Sequence, residues 1–318
     1  MQEFKKLNLF EKRKMTIEEL VKYYAEYRIY CYNKHDKLKG IELRKKIHFL
    51  INIILEIDKV ISREKIILIG NENKALKDIP KIFACTHIGG NDIQRTFEVI
   101  KEPAYLMLGD PGILYKKLIY QGLKLNGVIP LETKNRLDRK VAYNRSIELL
   151  ENGGNLLIYP EGAWNVSPNE IVMKTFVGTV RMAKETGAQI VPIAVEQYGK
   201  DFYFNIGENY GIASNSNKDE KELNNELRDK LATLKWQIME TQKTVKREDI
   251  PDDYIHKFQS DIVEKCNYGY GFSLEDALNE KFHDKTVISE DEVFNFLNNL
   301  NINKNNAFLL RTKRKILK

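Results

Sequence analysis

Residues 81–92 read KIFACTHIGGND, and the chain is best understood outward from them. Ile82 to Thr86 is a short apolar run of strand length, ending abruptly in His87. Gly89 and Gly90 follow and permit a tight turn. The same punctuation recurs on both sides. Apolar runs at 66–69, 82–86, 104–108, 128–131, 155–159, 190–195 and 202–206 are separated by turn residues and by helical segments. Two of those segments are well marked: 137–150, closed by Gly153 and Gly154, and 178–186, closed by Gly187. Strands alternating with helices imply an α/β domain around a largely buried sheet.

This α/β pattern spans about residues 65–212 and is flanked by helical sequence. In 1–64, Thr16 and Glu19 make a capping box ahead of Leu20, Tyr24, Tyr27 and Cys31 at helical spacing. A second helix is expected over 41–61. It is apolar on nearly all sides through Phe49, Leu50, Ile51, Ile53, Ile54 and Leu55, so something must cover it: protein core, a second subunit or the outer layer of a bilayer, with protein core the favoured cover. In 213–318, Leu223, Leu227, Leu231, Leu234 and Ile238 form one stripe of an amphipathic helix, read as a cap over the sheet. Further on come a Gly-Tyr-Gly turn at 269–271, an Asn-rich stretch and a basic tail.

The 318 residues carry 51 Lys+Arg against 45 Asp+Glu, a net charge of +6. Residues 1–14 hold +3 and residues 311–318 hold +5, which leaves the body at −2. A near-neutral body with basic ends argues against a nucleic-acid partner, which would select a basic stripe across the fold. Such ends suit an anionic membrane surface, or are solvated tails. Three widely spaced cysteines exclude a disulfide framework and a structural zinc cluster and favour a reducing compartment. The N-terminus has no apolar signal-peptide core, and the most apolar stretch, 47–57, reaches only about half of a ~30 Å hydrocarbon layer. A cytoplasmic protein, peripheral on the inner face of the membrane, is therefore expected.

His87 and Asp92 form an HxxxxD pair directly after a strand. A second HxxxxD, His256 with Asp261, lies in a helical pattern that leaves the side chains about 140° apart, so they cannot meet. At the first site the glycine turn can return Asp92 to the imidazole. A histidine so held is a candidate general base, the carboxylate fixing its tautomer. The plainer alternative is a strand-end histidine satisfied by a helix-capping aspartate.

A second cluster, Tyr159-Pro160-Glu161-Gly162, lies 74 residues beyond His87. HIGGND, YPEG and IVPIAV resemble blocks I, III and IV of the PlsC-like glycerolipid (lysophospholipid) acyltransferases. LGDPGILYKKLIYQGLKLNGVIPLE stands where that family has its second block. The resemblance covers about 65–210. It implies a mixed, largely parallel sheet flanked by helices, and transfer of an acyl group from an acyl-CoA or acyl-carrier-protein thioester to a hydroxyl of a lysolipid, glycolipid or related acceptor. It implies no metal or other cofactor. By position His87 is the base and Asp92 its orienting partner, Glu161 and Gly162 line the acceptor site, and Pro192 shapes the acyl pocket. The acyl tail is expected in an apolar groove to which residues 41–61 contribute.

Two departures stand out. Thr133 occupies a place where the family's second block usually has Arg, and Ala163, Trp164 and Asn165 follow PEG where Thr-Arg-Ser is usual. Those arginines would grip phosphate bidentately. Either Lys134, Arg136, Arg139 or Lys174 replaces them, or the acceptor has no phosphate. The balance tips toward an acceptor other than simple lysophosphatidate, with Trp164 as a stacking surface or as a loop anchor. Rival readings are a catalytically silent lipid-binding scaffold, a thioesterase-like hydrolase, and a Cys85–His87 nucleophile pair.

Overall fold

A computed structural model describes residues 4–74, 78–109, 111–116, 125–167, 170–266 and 303–304. The chain divides into two compact units, Met1–Ala277 and Leu278–Lys318. All described residues except 303–304 lie in the first. The basic tail, the Gly-Tyr-Gly turn, the Asn-rich stretch and much of the expected second block lie outside the described residues.

The first unit opens with α1 (Leu9–Lys14), α2 (Ile17–Asn33) and α3 (Ile41–Ser62). The Thr16–Glu19 capping box forms as expected. Then follow β1 (Lys65–Asn71), β2 (Lys81–Cys85), α4 (Asp92–Ile100), β3 (Tyr105–Gly109), α5 (Ile113–Lys116), β4 (Val128–Leu131), α6 (Arg136–Glu151), β5 (Leu156–Ile158), α7 (Gly178–Thr186), β6 (Gln189–Tyr198) and β7 (Asp201–Ile206). Helices α8 (Glu220–Glu240) and α9 (Tyr254–Cys266) follow among the described residues.

The seven strands form one sheet in the order β1-β7-β6-β2-β5-β3-β4. All pairs are parallel except the β6–β7 hairpin. Strand alternation sorts the core into two layers. Phe83, Cys85, Val191 and Val195 face Ile51 and Leu55 of α3 and Phe97 and Ile100 of α4. Ile82, Ala84, Leu156 and Ile190 face α6, α7 and Leu223, Leu227 and Leu231 of α8. All five apolar residues of the expected α8 stripe are buried. At about 2 kcal/mol for each large aliphatic side chain, that stripe accounts for most of the docking energy of α8.

This layering follows from right-handed crossovers. The connection from β2 through α4 runs toward β3, whereas those through α6 and α7 run the other way and therefore cross the opposite face. The chain thus changes direction between the neighbouring strands β2 and β5. At such a switch point the loops at the carboxyl ends of two adjacent strands part and leave a crevice.

Helix α3 corrects the sequence expectation. Its inner face buries His48, Ile51 and Leu55, but protein core does not cover the rest. Phe49, Leu50, Ile53, Ile54, Ile57, Val60 and Ile61 lie 48–76% exposed on the outer face. The 22-residue helix packs one stripe and presents a second apolar stripe outward. Among the described residues no helix is long and apolar enough to cross a membrane.

Candidate active site

Strand β2, buried throughout, delivers His87 to the carboxyl edge of the sheet at the β2/β5 switch point. Gly89 and Gly90, at φ 89° and 63°, turn the chain back so that α4 begins at Asp92. Asp92 Oδ2 lies 2.7 Å from His87 Nδ1 and also accepts the backbone N–H groups of Ile88 (2.8 Å) and Gly89 (2.9 Å). With the carboxylate accepting, Nδ1 carries the proton and Nε2 keeps its lone pair, the form a general base requires. The Asp92 side chain is 1% exposed and that of His87 13%, so the carboxylate is shielded while the imidazole reaches the surface.

Two aromatic rings lie against the imidazole. Tyr159, directly after β5, stacks on it at 4.2 Å between centroids, and Trp164 lies tilted at 6.0 Å. The Tyr159 hydroxyl donates to Thr96 Oγ1, which donates in turn to the Asp92 carbonyl. Burial pushes the Tyr159 phenol well above its ordinary value, so it stays protonated. Trp164 thus stands beside the imidazole, where stacking an acceptor and anchoring the loop are compatible roles.

Glu161 is fully buried and faces inward. One carboxylate oxygen accepts the His87 backbone N–H (3.0 Å) and the other that of Met173 (2.8 Å), while Asn165 N–H donates to the His87 carbonyl (2.9 Å). Its job in this geometry is to lock the histidine backbone to the 159–177 loop. Burial raises its pKa above the ordinary glutamate value. The Lys235 ammonium and the two N–H donors oppose that shift without cancelling it. Lys235, on α8, is itself buried and pairs with Glu196 at 2.8 Å. Gly162 adopts φ 69°, and a Cβ there would meet the Phe176 ring at 2.5 Å. The positive φ favours glycine at position 162, and any larger residue would also have to displace the exposed Phe176 ring.

The C-terminal helix α8 braces this loop, a role with no signal in the sequence pattern. Arg228 donates to the Val172 carbonyl through Nε (3.0 Å) and a terminal nitrogen (2.8 Å), and Asn224 donates to the Thr175 carbonyl (2.8 Å). Lys174, exposed, lies between those two anchor points. Arg136 and Arg139 are exposed in the first turn of α6, after β4. Three strand spacings, about 14 Å, separate β4 from β2, so these cations share the sheet edge with His87 without adjoining it. Arg139 donates to the Thr133 carbonyl. Pro192 is not brought to the site. It pairs in register with Ala84, so strand alternation turns it to the opposite face from Cys85 and His87, where its ring and Leu234 close around Gly207.

Cys85 is fully buried, its Sγ 3.7 Å from Thr96 Oγ1, and burial pushes its thiol well above the ordinary value. It is a core residue and not an activated nucleophile. His256 and Asp261 lie on helix α9, as their spacing requires.

Residues 66–196 match the family model of the acyltransferases. The chloroplastic 1-acyl-sn-glycerol-3-phosphate acyltransferase LPAT1 of Arabidopsis thaliana is 26% identical over 157 residues, 49% of this chain and 43% of that protein. The chloroplastic 1-acyl-sn-glycerol-3-phosphate acyltransferase BAT2 of Brassica napus is 24% identical over 157 residues, 49% of this chain and 44% of that protein. The chain spans less than half the length of these curated relatives. The crystal structure of the 1-acyl-sn-glycerophosphate acyltransferase PlsC from Thermotoga maritima shares the fold. It matches with a TM-score of 0.51 at 14% identity, over 73% of this chain and all of that one. Residues 66–196 thus match the acyltransferase family model, on a fold shared with PlsC.

Proposed function

We propose that this protein is an O-acyltransferase that moves a fatty acyl group from a CoA or carrier-protein thioester to a hydroxyl of a lysophospholipid. One observation carries the reading: a shielded aspartate holds Nδ1 of a partly exposed histidine at 2.7 Å, at the switch point of an acyltransferase domain. His87 Nε2 takes the proton of the acceptor hydroxyl as its oxygen attacks the thioester carbonyl, and backbone amides of the surrounding turns receive the oxyanion. Collapse of the tetrahedral intermediate expels the thiolate, which recovers the proton from the imidazolium. No acyl-enzyme forms, and Asp92 stabilises the imidazolium without itself being protonated.

The lysophospholipid class is favoured because both curated relatives are named for a phosphate-bearing acceptor. With Thr133 and Trp164 in place of the usual arginines, Lys174 is the cation best placed for that phosphate, on the loop that Glu161 ties to His87. The outer face of α3 is the lipid-facing surface. Phe49 to Ile61 spans about 18 Å of helix, and Phe10 and Lys12–Lys14 of α1 supply a second exposed, basic element. A protein seated this way is peripheral and draws its lysophospholipid acceptor from the bilayer.

The test is product analysis with a labelled acyl thioester and lysophospholipid, comparing wild type with His87→Ala. Loss of about 10² to 10⁴ in transfer rate with native circular dichroism supports the base assignment. Thiol release without acylated lipid would make the protein a hydrolase, and no thiol release at all would make it a silent scaffold.

A further inference from the structure

Among the described residues three helices have an asparagine at their N-cap, and one of the three does not cap. Asn8 accepts the backbone N–H groups of Phe10 and Glu11, and Asn135 those of Leu137 and Asp138. Asn91, at the start of α4, makes no such bond. Its side-chain amide instead donates to Glu64 Oε1 at 2.8 Å. Glu64, in the short connection between α3 and β1, uses its other oxygen to accept Arg95 Nε at 2.7 Å.

Arg95 is wholly buried. It pairs with Asp58, Glu64 and Glu98 and donates to the Leu55 carbonyl, so it fastens α4 to the end of α3. Its backbone N–H donates to the Asn91 carbonyl at 3.0 Å. Asn91 is therefore gripped at its side chain and at its carbonyl. The next residue is Asp92, whose Oδ2 holds the imidazole.

We infer that Asn91 and Glu64 are positioning residues: the Glu64 carboxylate, itself fixed by Arg95, holds the turn that aims Asp92 at His87. The inference rests on the proposed general-base reading and adds to it which groups set the geometry of the pair. A capping asparagine would stabilise α4, whereas this one gives up the cap for a tie to the α3–β1 connection. That exchange costs helix stability and gains placement. The tie also makes α3, with its exposed apolar face, mechanically continuous with the catalytic turn.

Asn91→Ala removes the tie without removing a cap, so α4 should persist, and Glu64→Gln removes the carboxylate that both partners share. Two readouts separate positioning from mere stability. In steady-state acyl transfer, kcat should fall about 10- to 100-fold with KM for the thioester within about twofold, because misplacement of a catalytic group by a fraction of an ångström acts on the chemical step. In nitrogen-15 and proton NMR of histidine-labelled protein, the His87 Nδ1–H signal should exchange with water about tenfold faster in Asn91→Ala than in wild type, with an unchanged urea midpoint. An unchanged Nδ1–H signal and kcat in folded Asn91→Ala would overturn the inference, as would losses that track the urea midpoint alone. If Glu64→Gln does not fold, Asn91→Ala decides. If wild type shows no transferase activity, the proposed function fails while the NMR comparison still decides the positioning role.

Discussion

Replacing Asp92 by asparagine keeps the shape of the pair and removes its charge, and the structure fixes what should follow. Oδ2 accepts three hydrogen bonds, from His87 Nδ1 and from the N–H groups of Ile88 and Gly89. An asparagine can retain all three only with its carbonyl oxygen at that place, since the reverse orientation sets its NH₂ against three donors. Each bond then changes from charge-assisted to neutral, a loss of about 1 kcal/mol apiece and about 3 kcal/mol together. The NH₂ must occupy the place of Oδ1, which is buried with no hydrogen-bond partner, at a further cost of about 1–3 kcal/mol. Asp92→Asn should therefore lose several kcal/mol of unfolding free energy, a large share of a typical total of about 5–15 kcal/mol. Turnover should drop at least about 10²-fold, because the imidazolium formed during proton transfer loses its counter-charge. Urea denaturation gives the first number, and thiol release coupled to acyl-lipid formation gives the second. A variant with the wild-type urea midpoint and turnover within about threefold of wild type would refute the reasoning.

Ile53, Ile54 and Ile57 are each a little over half exposed on α3. Replacing all three by serine should weaken cosedimentation with anionic vesicles at least about a hundredfold, at about 1–2 kcal/mol per side chain, and unchanged binding would remove α3 from the interface. Cys85→Ala should keep turnover near wild type, and native Cys85 should resist iodoacetamide until the protein unfolds. Abolished turnover in a folded variant would restore the nucleophile reading. The pKa of Glu161 is raised above the ordinary glutamate value in the folded state, so its contribution to stability is present below the ordinary carboxylate range and is lost as pH rises through the raised value. The stability gap between wild type and the non-titrating Glu161→Gln should accordingly narrow as pH rises from about 4, as read from urea midpoints. A gap independent of pH would contradict the assignment.

The strands were legible because each is an apolar run cut off by turn residues, and all seven form at nearly the expected bounds. The pairing of His87 with Asp92 was legible too, since two glycines at positive φ announce a tight return of the chain. Helix α4 was not, because it opens on the residues of the turn itself and runs for only nine. Long-range polar partners leave no periodic trace. Glu64 with Asn91, Arg228 with Val172 and Lys235 with Glu196 are 27, 56 and 39 residues apart, and Glu64, Arg228, Lys235 and Glu196 alone each read as ordinary surface charge. The inward aim of Glu161 and the displacement of Pro192 to the far face were hidden for a different reason. Position in a motif says nothing about which side of a sheet a residue faces until the register is known. Helix α3 shows the converse: its composition announced that cover was needed, and only packing revealed that one stripe has none among the described residues.

The central claim is tested most directly by mass spectrometry of lipids after incubating the protein with a carbon-13-labelled acyl thioester and a lysophospholipid, alongside His87→Ala. A labelled diacyl product from wild type, reduced about 10² to 10⁴-fold in the variant, is the predicted result. Equal product from both proteins, or none from wild type, would contradict it.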